Sequence, residues 1–226
     1  MVADTLRAGA RFNRAGTEQR RRDESWYRIT NLAGGSEVMI YEEIGDFGVG
    51  AAAFIADLGQ IPEKSPVTVR INSPGGDVYA ALAITNALRR RSGPITSIVE
   101  GLAASAASFI AMAGDEVVMC RNSELMIHDA RGLCVGNSTD MAEYAEWLGR
   151  ASDNIASIYA EKAGGTVASW RTAMKAETWY TAEQAVRAGL ADRVDTAQRP
   201  SNAARSNHAV SVAAARRRRR ASREAR

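Results

Sequence analysis

The sequence contains no apolar run that approaches the ~20 residues needed to cross a membrane as a helix. Its N-terminus is polar and rich in arginine, so the apolar core of a secretory signal is absent as well. Two cysteines, Cys120 and Cys134, are too few for a disulfide framework or a zinc site. These shortages exclude a membrane-spanning or disulfide-stapled protein, and we expect a cytoplasmic one without membrane contact.

Histidine and lysine are also scarce, which limits the candidates for a general base. Of the two histidines, His208 lies in an arginine-rich C-terminal stretch, so His128 is the imidazole available to a folded domain. The three lysines are Lys64, Lys162 and Lys175. The sequence has no Walker loop, and we therefore expect no nucleotide site.

The net charge of +3 conceals an uneven distribution. Residues 197–226 hold nine arginines and one glutamate, which leaves 20 basic and 25 acidic residues in the preceding 196. This stretch lacks apolar periodicity, so we expect a disordered tail whose run from Arg216 to Arg220 weakly contacts nucleic acid or an acidic protein. A solvated or cleavable tail explains the composition equally well. Residues 1–24 are similarly polar and are interpreted as a second flexible basic arm, which leaves 25–196 as the folded domain.

Between these arms the chain alternates strand-like and helix-like segments. Its 46% hydrophobic residues and 19 glycines are typical of a soluble α/β domain with one core. Periodicity predicts strands at 37–44, 66–72, 95–100, 116–119, 124–127 and 191–194, and helices at 48–61, 78–91, 139–163 and 181–188, with a further buried helix after 101. Strands that alternate with crossover helices indicate a largely parallel sheet.

The stretch GLAASAASFIAMAG at 101–114 sets two hydroxyls among small and apolar residues. It follows an apolar strand, so Ser105 lies where a strand gives way to a helix and where free backbone N–H groups can hold an oxyanion. The alternative is that Ser105 only caps the helix. Ser108 lies one helical turn further on, away from those donors.

Three other features could supply the remaining groups of a hydrolytic site. His128 ends the apolar strand LMIH, where sites often form, although a histidine at a strand end can be purely structural. Gly75 and Gly76 of the turn SPGG let bare backbone approach a ligand and offer it an N–H, but the same sequence makes an ordinary turn. Glu177 precedes the last predicted helix and is one acid among many.

Four motifs occur in an order that is typical of one family. They are INSPGG at 71–76, GLAAS at 101–105, MIH at 126–128 and TAEQAVRAGLAD at 181–192. Over roughly residues 36–196 the chain resembles the Clp protease proteolytic subunit family. The segment VMIYEEIGDFGVGAAAFIADL at 38–58 is similar to the phage and prophage branch of that family, the head maturation proteases.

The resemblance implies a fold and a set of residue roles. The fold would be the crotonase-like ClpP fold, an α/β architecture of repeated ββα units. Ser105 matches the family's nucleophile and His128 its base, while Gly76 and Ala106 match the donors of the oxyanion hole. Gly75 would contact the substrate. A serine endopeptidase of this kind would need no metal, nucleotide or other cofactor.

The third member of the triad departs from the family pattern. The family usually has an aspartate a few residues before the last helix, where this chain has Glu177. The longer side chain still permits a carboxylate to orient His128 and to stabilise its imidazolium. The alternative is a working Ser-His dyad with a weakly placed acid.

The resemblance also implies a homo-oligomeric ring, a heptamer or stacked rings, that encloses the active sites. The predicted helix at 139–163 could pack against a facing ring or lie in the monomer core, because it carries an apolar stripe of Met141, Tyr144, Ala145, Leu148, Ile155 and Tyr159. Housekeeping members dock an AAA+ unfoldase through an apolar N-terminal loop, which residues 1–24 lack. We therefore expect an ATP-independent head maturation protease that cleaves capsid or scaffold proteins in a bacterial host's cytoplasm or within the procapsid.

Several alternatives stay open on the sequence alone. A housekeeping ClpP-type peptidase would work with an AAA+ unfoldase. A peptidase of similar fold with a lysine base is disfavoured, because no lysine lies within the family-like motifs. A crotonase-type acyl-CoA enzyme also uses paired backbone N–H groups, but it has no need of a Ser/His pair at these motifs. A capsid-assembly or nucleic-acid-binding protein would act through the arginine tail instead.

Overall fold

A largely parallel sheet of eight strands runs through the described part of the chain. The structure, a computed structural model, describes residues 25–45 and 50–196. The flexible arms predicted at 1–24 and 197–226, with the run from Arg216 to Arg220, lie outside the described residues. The beginning of the helix predicted at 48–61 lies outside them as well.

Strands and helices alternate along the described residues. The strands are β1 (Tyr27–Leu32), β2 (Gly35–Tyr41), β3 (Val67–Ser73), β4 (Ile95–Ala104), β5 (Glu116–Cys120), β6 (Glu124–Ile127), β7 (Thr178–Thr181) and β8 (Arg193–Asp195). The helices are α1 (Ala51–Leu58), α2 (Val78–Arg89), α3 (Ala106–Ala111), α4 (Ser138–Ala163), α5 (Val167–Lys175) and α6 (Ala182–Arg187). None of these helices combines the length and the apolar character that a membrane span requires.

The main path of the sheet has the order β1-β2-β3-β4-β5-β8. From β2 to β8 neighbouring strands on this path are parallel, while β1 pairs antiparallel with β2 at the edge. The long strand β4 serves two partners, because residues 96–99 pair with β5 and residues 102–104 pair with β6. β7 then pairs antiparallel with β6. The predicted α/β fold with a largely parallel sheet is confirmed.

Alternate residues of the central strands are buried, and this alternation defines the core. In β3 the side chains of Val67, Val69 and Ile71 are buried, while the residues between them are more exposed. The first half of β4 repeats the pattern. A strand pattern with period two therefore produces a sheet with one fully buried face, against which the helices pack.

The sequence patterns do not predict β1, α5 or β7. These elements bury few side chains: β1 buries Tyr27, α5 buries Trp170 and Met174, and β7 buries no residue. Their apolar periodicity is correspondingly weak, so pairing and packing with the rest of the fold stabilise them instead. The helix predicted at 181–188 begins one residue later than expected, at Ala182, because Thr181 is the last residue of β7.

Strand β4 is longer than the sequence predicts. The predicted strand ends at residue 100, before the small residues of GLAA, whereas β4 continues to Ala104. The extension exists because residues 102–104 pair in parallel with β6. Pairing with a partner strand thus overrides the weak strand propensity of alanine and glycine.

Helix α4 divides into an exposed first half and a buried second half. The predicted apolar stripe follows this division: Ile155 and Tyr159 are buried in the core, Tyr144 and Leu148 are half-buried, and Met141 and Ala145 are exposed. The second half is therefore an ordinary core helix. The first half leaves apolar side chains in solvent in the described chain.

Candidate active site

Ser105 lies at a tight turn between β4 and α3. Its backbone has φ of 52° and ψ of −122°, and such a conformation costs a non-glycine residue ~1–3 kcal/mol. Two backbone hydrogen bonds hold the turn. The Ser105 N–H donates to the Met126 carbonyl at 3.0 Å, and the Ser108 N–H donates to the Ser105 carbonyl at 3.0 Å. A strained strand-to-helix turn of this kind presents its serine hydroxyl at the end of the sheet.

His128 lies directly against this hydroxyl. Parallel pairing places Ala104 beside Met126, so the residues that follow the two strands leave the sheet at the same place. The Nε2 of His128 lies 2.6 Å from the Oγ of Ser105. An imidazole at this distance can accept the serine proton as a general base. The structure thus brings together two residues that lie 23 positions apart in the chain.

Ser108 is buried, and its hydroxyl already has two partners. Its Oγ donates to the Ser105 carbonyl at 2.5 Å and lies 2.6 Å from the hydroxyl of Tyr159. Tyr159 is buried as well, and burial is the main cause that raises the pKa of its phenol. The buried hydroxyls of Ser108 and Tyr159 therefore support the turn at Ser105. The geometry therefore favours Ser105 over Ser108 as the nucleophile.

The SPGG turn lies against Ser105 and has no room for side chains at either glycine. Gly75 has φ of 105° and Gly76 has φ of 146°, values that favour glycine. A Cβ on Gly75 would lie 2.7 Å from the Cβ of Ser105, and one on Gly76 would lie 2.2 Å from the carbonyl oxygen of Ile44. The Ile44 N–H donates to the Gly75 carbonyl at 2.7 Å, which ties the turn to the segment after β2.

The two expected oxyanion donors, Gly76 and Ala106, lie next to Ser105. Ala106 is the first residue of α3, and the first N–H groups of a helix have no partner within it. The Ala106 nitrogen would lie 2.9 Å from a Cβ on Gly75, so the glycine turn and the start of the helix touch. Gly76 lines the same pocket as Ser105 and His128. This arrangement is compatible with an oxyanion hole formed by the N–H groups of Gly76 and Ala106.

A pocket of about 210 Å³ opens beside Ser105. Most of its other lining residues are apolar or aromatic, namely Val78, Phe109, Ala130, Ile155 and Tyr159. Two charged residues, Glu43 and Arg131, also line it. A concave apolar surface next to a nucleophile is suited to hold an apolar side chain of a substrate.

The environment of His128 keeps its imidazole neutral. Burial is the main cause that lowers the pKa of His128 below its usual value of 6.5. The guanidinium of Arg131 lowers this pKa further, while the carboxylates of Glu177 and Asp129 act in the opposite direction. The imidazole can therefore accept a proton at neutral pH and somewhat below it.

Glu177 lies close enough to influence His128, but Arg131 holds its carboxylate. An Oε2 atom of Glu177 accepts a hydrogen bond from the Arg131 guanidinium. The Nδ1 of His128 is buried and has no hydrogen-bond partner among the residues that the structure describes. Glu177 also has φ of 49°, which is unusual for a residue with a side chain. In this arrangement Ser105 and His128 are in contact, whereas the carboxylate of Glu177, the expected acid, binds Arg131 and leaves the Nδ1 of His128 without a partner in the described residues.

Sequence reasoning missed two charged residues of the site, Arg131 and Glu43. Arg131 follows His128 by three positions in an irregular segment, and Glu43 follows the end of β2. Arg131 lies outside the four motifs and Glu43 is one of two adjacent glutamates in the segment 38–58, so neither stands out in the sequence. The fold brings both to the pocket. The signal that could have identified Arg131 is its positive charge three positions after His128, the candidate base.

The geometry defines a class of site before any relative is considered. It combines a strained serine at a strand-to-helix turn, an imidazole in contact with its hydroxyl, and backbone N–H groups nearby, which is the arrangement of serine hydrolases. Within residues 25–45 and 50–196, no group of three or more His, Cys, Asp or Glu side chains is placed to hold a metal ion.

Comparison with known proteins narrows this class. Residues 21–198 match the family described as Clp protease. The chain is 33% identical over 153 residues, 65% of its length, to 76% of the ATP-dependent Clp protease proteolytic subunit of Leuconostoc citreum (strain KM20). It is 32% identical over 133 residues, 57% of its length, to 65% of the ATP-dependent Clp protease proteolytic subunit 1 of Protochlamydia amoebophila (strain UWE25). It is 33% identical over 128 residues, 56% of its length, to 65% of the corresponding subunit of Pleurastrum terricola.

The chain therefore belongs to the Clp protease family. Its relatives are proteolytic subunits, which indicates a serine-type endopeptidase. The predicted family is confirmed by these matches. They do not separate the head maturation branch from the housekeeping peptidases, and the roles of the individual site residues remain predictions.

The first prediction separates the two serines. Ser105→Ala should lower peptide hydrolysis by about 10⁴-fold or more, because the attacking hydroxyl is lost. Ser108→Ala should change turnover by less than about threefold while it lowers the free energy of unfolding by about 1–3 kcal/mol, because two buried hydrogen bonds are lost. Turnover, a fluorophosphonate label mapped by mass spectrometry, and thermal unfolding measure these effects. A label on Ser108 would contradict the assignment.

Proposed function

We propose that this protein is an endopeptidase in which Ser105 attacks the peptide carbonyl and His128 serves as the general base. The observation that carries the proposal is the 2.6 Å contact between the Nε2 of His128 and the Oγ of Ser105. His128 takes the hydroxyl proton as the Oγ–carbon bond forms, and it returns this proton to the nitrogen of the leaving amine. Water, deprotonated by the same imidazole, then hydrolyses the acyl-enzyme.

In this mechanism the N–H groups of Gly76 and Ala106 stabilise the negative oxygen of the tetrahedral intermediate. Removing one such donor typically costs about 10²- to 10³-fold in turnover. The tight contact between Gly75 and Ser105 supports this role, because it fixes the glycine turn relative to the attacking oxygen. Gly75 would present its backbone to the substrate at the same place.

The pocket beside Ser105 suggests a preference among peptide substrates. Its lining is largely apolar, with the rings of Phe109 and Tyr159 among the wall residues. An apolar side chain on the residue that supplies the attacked carbonyl would bury its surface there. Chemistry of this kind requires no metal, nucleotide or other cofactor.

Glu177 acts in this proposal as the acid that supports His128, and it must leave Arg131 to do so. The Arg131–Glu177 pair lies at the surface, where such a pair is worth about 0–1 kcal/mol, so exchange of partners is inexpensive. The buried Nδ1 of His128, which has no partner in the described residues, supports the proposal because it offers a place for the carboxylate. A Ser-His dyad without an acid is the alternative.

The second prediction tests this acid. Glu177→Gln should lower turnover by about 10- to 100-fold, less than loss of Ser105, because an amide can hold the imidazole ring but cannot stabilise its positive charge. Steady-state peptide hydrolysis measures the effect. The matched control is Glu183→Gln, an exposed glutamate of α6, which should keep the parental rate. A parental rate in Glu177→Gln would point to Asp129 or to a dyad.

The proposal includes assembly into a homo-oligomeric ring, a heptamer or stacked rings, through the segment before α4 and the first half of that helix. Leu133 and Val135 are 88% and 90% exposed, and Met141 on α4 is 51% exposed. Tyr144 stacks on Trp147 with ring centroids 5.3 Å apart. Apolar side chains exposed in one continuous stretch of chain support a contact with another copy.

The third prediction concerns this assembly. Light scattering of the purified protein should give the mass of a ring, and Leu133→Ser combined with Val135→Ser should shift the mass towards smaller species, because apolar contact area is lost. Leu32→Ser is the matched control, since Leu32 is also exposed but lies at the end of β1. A monodisperse monomer that still cleaves peptides would contradict the ring.

The biological role that we propose is ATP-independent cleavage of capsid or scaffold proteins during phage head maturation, in the bacterial cytoplasm or within the procapsid. The similarity of residues 38–58 to head maturation proteases supports this role, and so does the polar character of residues 1–24. The run from Arg216 to Arg220 would recruit the enzyme to an acidic scaffold or to nucleic acid. The second candidate is a housekeeping peptidase that works with an AAA+ unfoldase, and the names of the matched relatives favour it.

The fourth prediction distinguishes these roles. Co-expression with the capsid and scaffold proteins encoded beside this gene should yield cleaved products with the parental protein and none with Ser105→Ala, because the nucleophile is absent from the variant. Gel electrophoresis and mass spectrometry identify the products. Uncut capsid and scaffold, together with degradation of a folded substrate that needs added unfoldase and ATP, would replace the maturation role with the housekeeping one.

A further inference from the structure

Two arginines hold the two carboxylates that raise the pKa of His128. Glu177 is paired with Arg131, and Asp129, the residue directly after the histidine, is paired with Arg171 of α5. Both carboxylates act on the charge of the imidazole, although neither forms a hydrogen bond to its Nδ1. The two ion pairs differ greatly in their surroundings, and this difference separates their roles.

The Arg171–Asp129 pair is much better held than the Arg131–Glu177 pair. The side chain of Arg171 is 17% exposed, against 66% for Arg131. Its Nε and Nη2 donate to the two carboxylate oxygens of Asp129 at 3.2 and 3.0 Å, which is the bidentate geometry of a strong guanidinium–carboxylate contact. Such a contact fixes direction as well as distance.

Arg171 also binds helix α4. Its Nη1 donates to the Gly149 carbonyl at 3.0 Å and to the carboxylate of Asp153. One guanidinium therefore joins α4, α5 and the residue that follows the candidate base. A second anchor lies beside it, because the Ala130 N–H donates to the Oγ of buried Ser152 at 2.9 Å.

We propose that Arg171 is a positioning residue for the Ser-His pair, which holds Asp129 against α4 and α5 and so fixes the chain directly after His128. This inference rests on the proposed function, in which His128 is the base for Ser105. β6 orients the backbone before the histidine through its pairing with β4 and β7. Arg171 constrains the backbone after the histidine by holding Asp129, so the chain is fixed on both sides of His128.

The same contact keeps Asp129 away from the imidazole. A carboxylate adjacent to a buried Nδ1 without a partner would otherwise compete for it, because a buried N–H gains from any available acceptor. With Asp129 committed to Arg171, Glu177 is the carboxylate that can reach this nitrogen after leaving its exposed arginine. Arg171 thus decides which acid is available to His128.

A test must separate positioning of His128 from simple support of the fold. The charged and titratable groups that face His128 are Asp129 and Arg131 from its own loop and Glu177 from the segment before β7, while Glu43 and Tyr159 line the same pocket. Loss of Arg171 changes the balance among these groups. Loss of folded protein lowers only the amount of active enzyme.

The fifth prediction uses the full-length protein and a set of variants: Arg171→Gln, Arg171→Lys, Asp129→Asn, the double variant Asp129→Asn with Arg171→Gln, and Asp153→Asn as a matched control. Asp153 binds the same guanidinium but does not belong to the loop after His128. Turnover and KM are measured per active site titrated with a fluorophosphonate. The pKa of His128 is measured by NMR of ¹³C-labelled histidine, and since the protein has two histidines, His208→Ala assigns the signal.

Arg171→Gln should lower turnover per titrated site by about 10-fold or more with little change in KM, because the base is misaligned while the pocket is intact. The pKa of His128 should rise by about 0.5 unit or more, since the carboxylate of Asp129 loses its counter-charge. Arg171→Lys should fall between this variant and the parent, because lysine keeps the charge but not the forked geometry. Asp129→Asn alone should lower the pKa of His128, and the double variant should return it towards the parental value. Asp153→Asn should lower turnover and shift the pKa of His128 much less than Arg171→Gln does, because Arg171 keeps Asp129 and the Gly149 carbonyl as partners.

Three results would overturn the proposal. They are an unchanged pKa in Arg171→Gln, losses of turnover that simply add in the double variant, and an equal loss in Asp153→Asn. If Arg171→Gln does not fold, Arg171→Lys and Asp129→Asn carry the same comparison. The NMR titration needs no peptide hydrolysis, so a parent that fails to cleave peptides would contradict the proposed function and still leave the positioning role decided by the pKa values.

Discussion

The contact between the SPGG turn and Ser105 is the constraint on which the site depends. The absence of a side chain at Gly75 allows the turn to reach Ser105 and the start of α3 at the same time. The positive φ of Ser105 is then maintained by two hydrogen bonds: its carbonyl accepts one from the Ser108 N–H of α3, and its own N–H donates one to the Met126 carbonyl of β6, the strand that leads to His128. The ends of β3, β4 and β6 therefore meet at one place, and a shift in any of them would separate Ser105, His128 and the glycine turn.

The electrostatics of the site follow from burying an imidazole beside that turn. Burial disfavours the charged ring and lowers the pKa of His128, so the neutral imidazole can accept a proton as the proposed mechanism requires, and the imidazolium that would form needs a counter-charge. Two carboxylates lie near, and each is paired with an arginine. The Arg131–Glu177 pair is exposed, where such a pair is weak, whereas the Arg171–Asp129 pair is shielded from solvent and bidentate. In the mechanism that we propose, the chain thereby combines a neutral resting base with an acid that leaves its arginine to support that base.

The sequence predicted the α/β class and most elements of the core, because buried strands and helices carry strong apolar periodicity. Val67, Val69 and Ile71 of β3 show this period directly. It did not predict β1, α5 or β7, whose burial is too slight to shape their composition. The residues Ser105, His128 and Gly76 could be singled out because a nucleophile, a base and a close backbone approach each impose a recognisable local pattern. Arg131 and Arg171 carry no such pattern, since an arginine in a loop or on a short helix is ordinary.

By itself the sequence predicted the serine-peptidase class and the family, because the resemblance is carried by motifs for a serine turn, a glycine turn and a strand-end histidine, which depend on local residue types. Only the tertiary structure decided how the charges are distributed around that chemistry. The path of the chain places Arg131 against Glu177, and it places Arg171 against Asp129. These pairings join residues that lie 46 and 42 positions apart. Spacing along the chain cannot predict them, because they arise from the packing of α5 and of the segment before β7 against the loop after β6.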